Sequence, residues 1–241
     1  MTNQLRDSLV LIGFGYEEER SLIGLLGNGV LMKYNQILWL VTAAHILNEE
    51  SGDYPYKIIN PQPEKTKSMI LNRPYLDKYG RFYEEENLAL VPLQKLKKNY
   101  TFDPEPVELF SWQPPGYQPL KSHAYQSYAR NLDAIKTASA FNPTATDTFI
   151  QKSLQLEEVK EELTSSENLN LKNALLFDAN DEIANTTALI GGVILSATEK
   201  QDYRPMAIIT GGVTPEPVQF NGNSINKNLV MGHQLANIFA R

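Results

Sequence analysis

Short β-type segments separated by turn residues are the feature that most constrains the fold of this chain. Seven such segments are rich in Val, Ile, Leu or aromatic residues and are bounded by Gly, Pro, Asn or charged residues. They are Ser8–Phe14, Gly29–Lys33, Gln36–Val41, Leu88–Leu93, Ala124–Arg130, Gly192–Ser196 and Met206–Thr210. This succession of short segments and turns is typical of a β-sandwich or β-barrel and not of strands that alternate with long helices. The sequence therefore predicts an all-β protein.

Turn and helix signals complete this outline. Residues Lys33–Gln36 predict a hairpin turn, because Asn tolerates positive φ, and the polar stretch Ser196–Arg204 predicts a longer hairpin loop. Apolar residues at helical spacing predict two amphipathic helices, over Leu154–Leu163 and Asn228–Arg241. We expect the second helix to pack against the last part of the sheet structure.

Several function classes are excluded by composition. The chain has no cysteine, which excludes disulfides, thiolate metal sites and a cysteine nucleophile. Its formal charge of -6 and pI near 5.2 argue against general nucleic-acid binding, since phosphate backbones need a basic face. His123 and His233 are isolated, and no histidine spacing suggests a metal site, so both are expected to be structural or surface residues. We predict neither a metal nor another cofactor.

The hydropathy pattern predicts neither a membrane-spanning segment nor a secretory signal. The most apolar window, Ile37–Leu47, contains Thr42 and His45 and is too short to cross a bilayer. The first residues do not follow the basic-then-apolar order of a secretory signal. We therefore expect a cytoplasmic protein without membrane contact.

The segment from Gly27 to Leu47 is the most specific in the chain. It contains a Gly-x-Gly strand, a turn, an apolar strand and then Thr-Ala-Ala-His, in which the histidine is His45. Such a strand can deliver the backbone into a short helical turn, where two alanines leave room for an imidazole to face a cleft. A single buried structural histidine is the alternative interpretation. The segment resembles the surroundings of the catalytic histidine in chymotrypsin-like (trypsin-fold) serine peptidases.

This resemblance implies an architecture for the whole chain. We expect two antiparallel six-stranded β-barrels packed face to face, the first over residues 1–102 with His45 and the second over 121–226. A Pro-rich linker over residues 103–120 and a C-terminal helix over 227–241 complete the predicted organisation. The family's catalytic residues follow in the order His, Asp, Ser.

The position of the catalytic acid is identified by the same resemblance. Residues Glu86–Leu93 resemble the family strand that opens with the Asp, and its distance from His45 along the sequence fits. Asn87 stands at the position of the acid. An Asn can orient the imidazole but supplies no negative charge, and in these enzymes that substitution lowers kcat about 10⁴-fold. Glu86 would point to the opposite side of the strand, which makes it a poor substitute.

The position of the nucleophile is also altered. Residues Ala188–Leu195 resemble the family segment Gly-x-Ser-Gly-Gly followed by a strand, which places Ile190 at the nucleophile. A branched alkyl side chain has no lone pair with which to attack a carbonyl. The first Gly of the motif, whose N–H helps to form the oxyanion hole, is Ala188 here. In an alternative register Thr186 takes the place of the nucleophile, at the expense of the Gly-Gly match.

These observations predict a non-catalytic, trypsin-like pseudopeptidase that binds a peptide or a protein partner in the cleft between its barrels. Thr210, Gly211 and Gly212 lie where such folds add a peptide strand through main-chain hydrogen bonds. We also expect Thr210, Asn87 and His45 to form a small polar network.

Two further possibilities remain at this point. The chain could be an active endopeptidase in which Thr186, or a nearby serine such as Ser196, meets His45 as the general base. Alternatively, it could be an accessory domain that acts through surface loops such as residues 49–63.

Overall fold

The computed structural model describes thirteen stretches of the chain. They are residues 8–16, 22–48, 53–60, 67–93, 125–130, 149–157, 174–179, 189–197, 203–213, 218–220, 223–225, 229–235 and 238. Within them the backbone forms β-strands and two short helices. The linker predicted over residues 103–120 lies outside the described stretches.

The first half of the chain forms one antiparallel sheet of seven strands. In chain order they are β1 (Leu9–Phe14), β2 (Gly24–Tyr34), β3 (Ile37–Ala43), β4 (Tyr56–Asn60), β5 (Lys67–Leu71), β6 (Arg81–Tyr83) and β7 (Leu88–Pro92). The spatial order is β5-β4-β1-β2-β3-β7-β6. Helix α1 (Ala44–Asn48) follows β3 directly, and helix α2 (Arg73–Tyr79) connects β5 to β6.

The second half forms a closed antiparallel barrel. Its strands are β8 (Tyr125–Arg130), β9 (Phe149–Glu157), β10 (Ala174–Ala179), β11 (Val193–Ala197), β12 (Tyr203–Val213) and β15 (Leu229–Gln234), in the spatial order β10-β15-β12-β11-β8-β9. A separate pair, β13 (Val218–Phe220) and β14 (Asn223–Ile225), lies between β12 and β15 along the chain.

The all-β class and the double-barrel architecture are thus confirmed. The first half differs from the predicted six-stranded barrel, because it is a curled sheet of seven strands whose edges β5 and β6 do not pair. The residues between the two edge strands form helix α2. Asn72 stabilises its first turn by accepting a hydrogen bond from the Tyr75 N–H at 3.0 Å.

Each predicted strand overlaps an observed one. The predicted hairpin turn between β2 and β3 is also confirmed, with φ of 49° at Asn35 and 63° at Gln36. Strands β11 and β12 form a hairpin as predicted, but the ends of the predicted loop belong to the strands, since Ser196 pairs with Arg204 and Ala197 with Tyr203. Local pattern and turn chemistry agree with the tertiary structure in these regions.

Helical spacing was misleading at Leu154–Leu163. Residues up to Glu157 belong to strand β9, in which Leu154 is buried while Ser153 and Gln155 are exposed. This alternation is the signature of a strand. The remainder of the predicted helix lies outside the described residues.

The C-terminal helix predicted over residues 227–241 begins too early. Residues 229–234 form β15, which has neighbouring strands on both sides, and 230–233 are all buried. Two ladders of hydrogen bonds outweigh the helical spacing there, so the second barrel extends beyond its predicted end at residue 226. Ile238 is helical and buried, and the other residues after Leu235 are not described.

The segment 49–63 is not the surface loop that we expected. Its described part contains strand β4, whose residues Tyr56 to Ile59 are buried between β1 and β5. None of the helices in the described stretches is long and apolar enough to cross a membrane.

The two halves share one apolar cluster, and the barrel contains a second cluster of its own, which includes Tyr125, Phe177 and Ile209. Tyr128, Val193, Leu195 and Ile208 of the barrel pack into the same buried cluster as the side chains of β1, β2, β3 and β7. Direct contact between the halves fixes how β3 and α1 face β12.

Candidate functional site

Helix α1 positions His45 at the junction of the two halves. Strand β3 ends at Ala43, and the buried Ala44 begins the helix, with His45 as its second residue. The Ala44 N–H donates to the Asn87 carbonyl at 2.8 Å, which ties the helix to the neighbouring chain segment. The His45 side chain is half-buried, as expected for a residue facing a cleft.

Asn87 ends the turn that precedes β7. Ala43 pairs with Leu88 in the β3–β7 ladder, so Asn87 lies beside the start of α1. Its φ is 48°, a left-handed conformation that Asn adopts more readily than most residues. Asn87 faces His45, and it belongs to a turn and not to the strand that the sequence predicted it to open.

The Asn87 amide makes hydrogen bonds in three directions. Its Oδ1 accepts from the His45 backbone N–H at 3.1 Å, and its Nδ2 donates to the Thr210 carbonyl at 3.2 Å. The ring Nδ1 of His45 lies 2.9 Å from Nδ2 and 3.2 Å from Oδ1. The amide therefore links α1, the turn before β7 and strand β12.

Thr210 takes part in this network through its backbone. Its carbonyl accepts from Asn87, whereas its hydroxyl lies 2.7 Å from Nδ1 of His233. Thr210 is 2% exposed, and His233 is fully buried on the neighbouring strand β15. The predicted cluster of His45, Asn87 and Thr210 is thus present, but the Thr210 hydroxyl does not face Asn87.

Ile190 lies in a turn between the halves. Its carbonyl accepts from the Asn28 backbone N–H at 2.9 Å and from Asn28 Nδ2 at 3.3 Å. The next residue, Gly191, donates its N–H to the Ile209 carbonyl at 2.8 Å. The Ile190 side chain is half-buried and packs against the core of the first sheet. The turn is therefore held both by β2 and by the strand that carries Thr210.

Asn28 is a site residue that sequence reasoning missed. Its carbonyl accepts from the Thr42 hydroxyl at 2.7 Å, and its Oδ1 accepts from the Arg130 N–H at 2.9 Å. With its two bonds to Ile190, it uses both its backbone and its side chain to join the halves. A polar Asn between glycines in an otherwise apolar strand was the available signal.

We expect Asn28→Ala to lower the free energy of unfolding by about 1–3 kcal/mol. The variant leaves the buried Arg130 N–H without its acceptor and deprives the Ile190 carbonyl of one donor. Urea unfolding measures the loss. Asn48→Ala, at an exposed position on α1, is the control and should change stability by less than about 0.5 kcal/mol. Equal losses in the two variants would contradict the role given to Asn28.

Other predicted site residues are not brought to His45 by the described structure. Ala188 and Thr186 lie outside the described residues. Ser196 is buried near the end of β11, opposite Arg204. It is four residues from Gly192, or about 13 Å at roughly 3.3 Å per residue. The described residues contain no group of three His, Asp or Glu side chains arranged to hold a metal ion.

Strand β12 offers an edge next to this site. The β11–β12 ladder has Val193 opposite Ile208, and Ile209 is bonded to Gly191 and Gly192. Strand β12 continues through Val213, where its described partner is β15 on the other side. Gly211, which is half-buried, lies in this extension, as does Gly212. An extended ligand could pair with the extension beside the Thr210 carbonyl.

Similarity to known proteins is found at the level of structure. No protein-family model matches the sequence, and the search of curated proteins gave no match either. The MamO protease domain from Magnetospirillum magneticum is similar in structure, with a TM-score of 0.57 and 11% identity, covering 100% of this chain and 98% of that one. Kallikrein-related peptidase 10 in complex with Zn2+ has a TM-score of 0.57 and 14% identity, covering 100% of this chain and 95% of that one. The chain therefore has the fold of the trypsin-like serine proteases.

Proposed function

We propose that this protein is a non-catalytic, trypsin-like pseudopeptidase that binds a peptide or a protein partner in the cleft between its two halves. The observation that carries the proposal is the contact between Asn87 and His45. A neutral amide lies 2.9 Å from Nδ1 of the imidazole, where catalysis would require a carboxylate. The remaining support comes from residue 190 and from the edge of β12.

A neutral partner deprives His45 of electrostatic help. In acyl transfer the histidine becomes positively charged as it takes the proton of the nucleophile, and a carboxylate stabilises that charge. Within the described residues, the imidazole is hydrogen-bonded to Asn87 and to no hydroxyl group. The neutral amide orients the ring but supplies no negative charge.

The position assigned to the nucleophile is supported by main-chain contacts. The Ile190 carbonyl accepts a hydrogen bond from the Asn28 N–H. The Asn28 carbonyl in turn accepts one from the hydroxyl of Thr42, three residues before His45. The turn that contains Ile190 is also bonded to Ile209, the residue before Thr210. Hydrogen bonds thus connect the turn of Ile190 to the segments that carry His45 and Thr210. The Ile190 side chain, however, cannot form an acyl intermediate.

Peptide binding requires no nucleophile. The extension of β12 beyond β11 can donate and accept main-chain hydrogen bonds with an added strand, as in other cases of β-strand addition. This edge begins at Thr210, whose carbonyl reaches the Asn87 amide. A bound strand would therefore lie next to His45.

Labelling with a fluorophosphonate probe separates this function from an active endopeptidase. We expect the wild-type protein and the His45→Ala variant to be labelled equally weakly, because no hydroxyl of the described residues is hydrogen-bonded to His45. An active enzyme that uses Thr186 or another hydroxyl would be labelled in the wild type and lose that labelling in the variant. Such a result would overturn the proposal.

Binding is tested with peptides selected from a random displayed library and then resynthesised with N-methyl groups at alternate residues. We expect methylation of the residues that pair with β12 to abolish binding, since it removes main-chain donors. In NMR titrations the parent peptides should shift the amide resonances of Thr210–Val213. Peptides that bind without either effect would show that the cleft is not the binding site.

A further inference from the structure

The polarity of the Asn87 amide determines which nitrogen of His45 carries the proton. We infer that the neutral ring of His45 adopts the tautomer protonated at Nε2. The same geometry makes the imidazole a hydrogen-bond donor to an acceptor oxygen of the bound peptide; this ligand assignment rests on the proposed function. Asn87 is the positioning residue for this tautomer.

Two contacts fix the orientation of the amide. The His45 backbone N–H can only donate, so the amide atom 3.1 Å away must be the oxygen. The Thr210 carbonyl can only accept, so the amide atom 3.2 Å away must be the nitrogen. A flipped amide would place two donors together at the first contact and two acceptors together at the second. Both hydrogen bonds would then be lost.

The fixed amide then selects the tautomer. Asn87 Nδ2 has two hydrogens, of which one goes to the Thr210 carbonyl and the other is available to Nδ1 of His45, 2.9 Å away. A proton on Nδ1 would face that hydrogen, which is unfavourable. Nδ1 also lies 3.2 Å from Oδ1, but this contact is longer, and a proton on Nδ1 would still face the nearer Nδ2 hydrogen. Nδ1 is therefore the acceptor, and the proton of the neutral ring is on Nε2.

This tautomer reverses what His45 presents to a ligand. A general base needs a lone pair on Nε2, but here that nitrogen carries a hydrogen. The His45 ring is half-buried, and its Nε2 makes no hydrogen bond within the described residues. A ligand next to it gains a hydrogen bond by offering an oxygen acceptor, whereas an ammonium group or an N–H would be disfavoured. Peptides have such oxygens in their main-chain carbonyls and in their terminal carboxylate.

NMR of protein labelled with ¹⁵N at histidine tests the tautomer directly. At a pH where the ring is neutral, we expect the wild-type His45 signals to show a protonated Nε2 and an unprotonated Nδ1. The Asn87→Asp variant should reverse this pattern, because a carboxylate only accepts and draws the proton to Nδ1. Asn48→Asp, on the same helix, should leave the pattern unchanged. A wild-type protein protonated at Nδ1, or an Asn87→Asp variant that keeps the wild-type pattern, would overturn the assignment.

Titrations with acetyl-Ala-Ala-Ala as the free acid, with its C-terminal amide and with butylammonium test the ligand. We expect at least one peptide to shift the Nε2-bound proton of His45, and butylammonium to leave it unchanged. A shift caused by the free acid alone identifies the carboxylate as the acceptor, and equal shifts identify a main-chain carbonyl.

The failures of the two proposals are distinguishable. If a peptide shifts the amides of Thr210–Val213 but not the His45 proton, the ligand assignment is wrong and the proposed function stands. If neither peptide shifts any of these resonances, both the ligand assignment and peptide binding in the cleft are contradicted, while the tautomer is judged from the labelled histidine alone.

Discussion

Peptide hydrolysis by the Ile190→Ser variant is expected to remain at background, whereas the double variant Ile190→Ser/Asn87→Asp should be about 10⁴-fold faster than the single variant. A serine at residue 190 supplies a hydroxyl, but the His45 tautomer set by Asn87 has no lone pair on Nε2 to accept its proton. Aspartate at residue 87 reverses the tautomer and stabilises the positive charge that develops on the ring. Asp also tolerates the left-handed backbone at this position.

The measurement is turnover of a fluorogenic peptide mixture by both variants, with Asn87→Asp alone as the matched control. That control should be inactive, because it has the acid without the nucleophile. The new carboxylate would lie near the Thr210 carbonyl, where the amide now donates at 3.2 Å. A carboxylate cannot donate to that carbonyl and needs a donor of its own. We therefore expect the Thr210 hydroxyl to turn from His233 toward residue 87 in the double variant. Strong hydrolysis by Ile190→Ser alone would show that Asn87 does not limit the histidine.

The contact between Asn87 and His45 was predictable because both positions were identified from the resemblance to trypsin-fold peptidases, in which the corresponding residues touch. Two short motifs placed the residues just after one strand and just before another; these strands pair as β3 and β7, and the two side chains are in contact. The polarity of the contact was not predictable from sequence. It depends on the backbone N–H of His45 and on the Thr210 carbonyl, groups that every residue type possesses.

Contacts between the two halves were also beyond the reach of sequence patterns. Asn28 and Arg130 are distant in sequence, and their hydrogen bond forms only when β2 and β8 pack together. His233 was expected to be a structural or surface residue, and the structure buries it beneath Thr210. Hydrophobic periodicity describes which face of an element is buried, but it does not identify the partner of a buried polar group.

Helix and strand assignments failed where both patterns fitted the same residues. Strand β15 is buried along residues 230–233 without interruption. Such a continuous buried run fits the helical spacing as well as it fits a strand. A strand with neighbours on both sides satisfies its backbone groups through the sheet, and this tertiary contribution outweighs local propensity. The same competition decided the first part of Leu154–Leu163, where β9 pairs with β8 and β10.

Among the glycines of the described stretches, Gly191 is the position at which an added methyl group should cost the most stability. We expect Gly191→Ala to lower the free energy of unfolding by about 3–5 kcal/mol, the sum of backbone strain and overpacking. The φ of Gly191 is 82°, a conformation that alanine rarely adopts. A Cβ added there would lie 1.8 Å from the Asn28 carbonyl oxygen and 2.9 Å from the Thr42 hydroxyl.

The turn cannot relieve this clash by moving away. Its neighbour Ile190 is bonded to Asn28, and Gly191 itself is bonded to Ile209, so a shift breaks hydrogen bonds on one side or the other. Gly211→Ala is the matched control, because its added Cβ would meet only the flexible end of Met231 within 3 Å. Urea unfolding should show a loss below about 1 kcal/mol for that control. Similar losses in both variants would mean that the turn is not clamped between the halves, and the assignment of residue 190 to the position of the nucleophile would lose its main structural support.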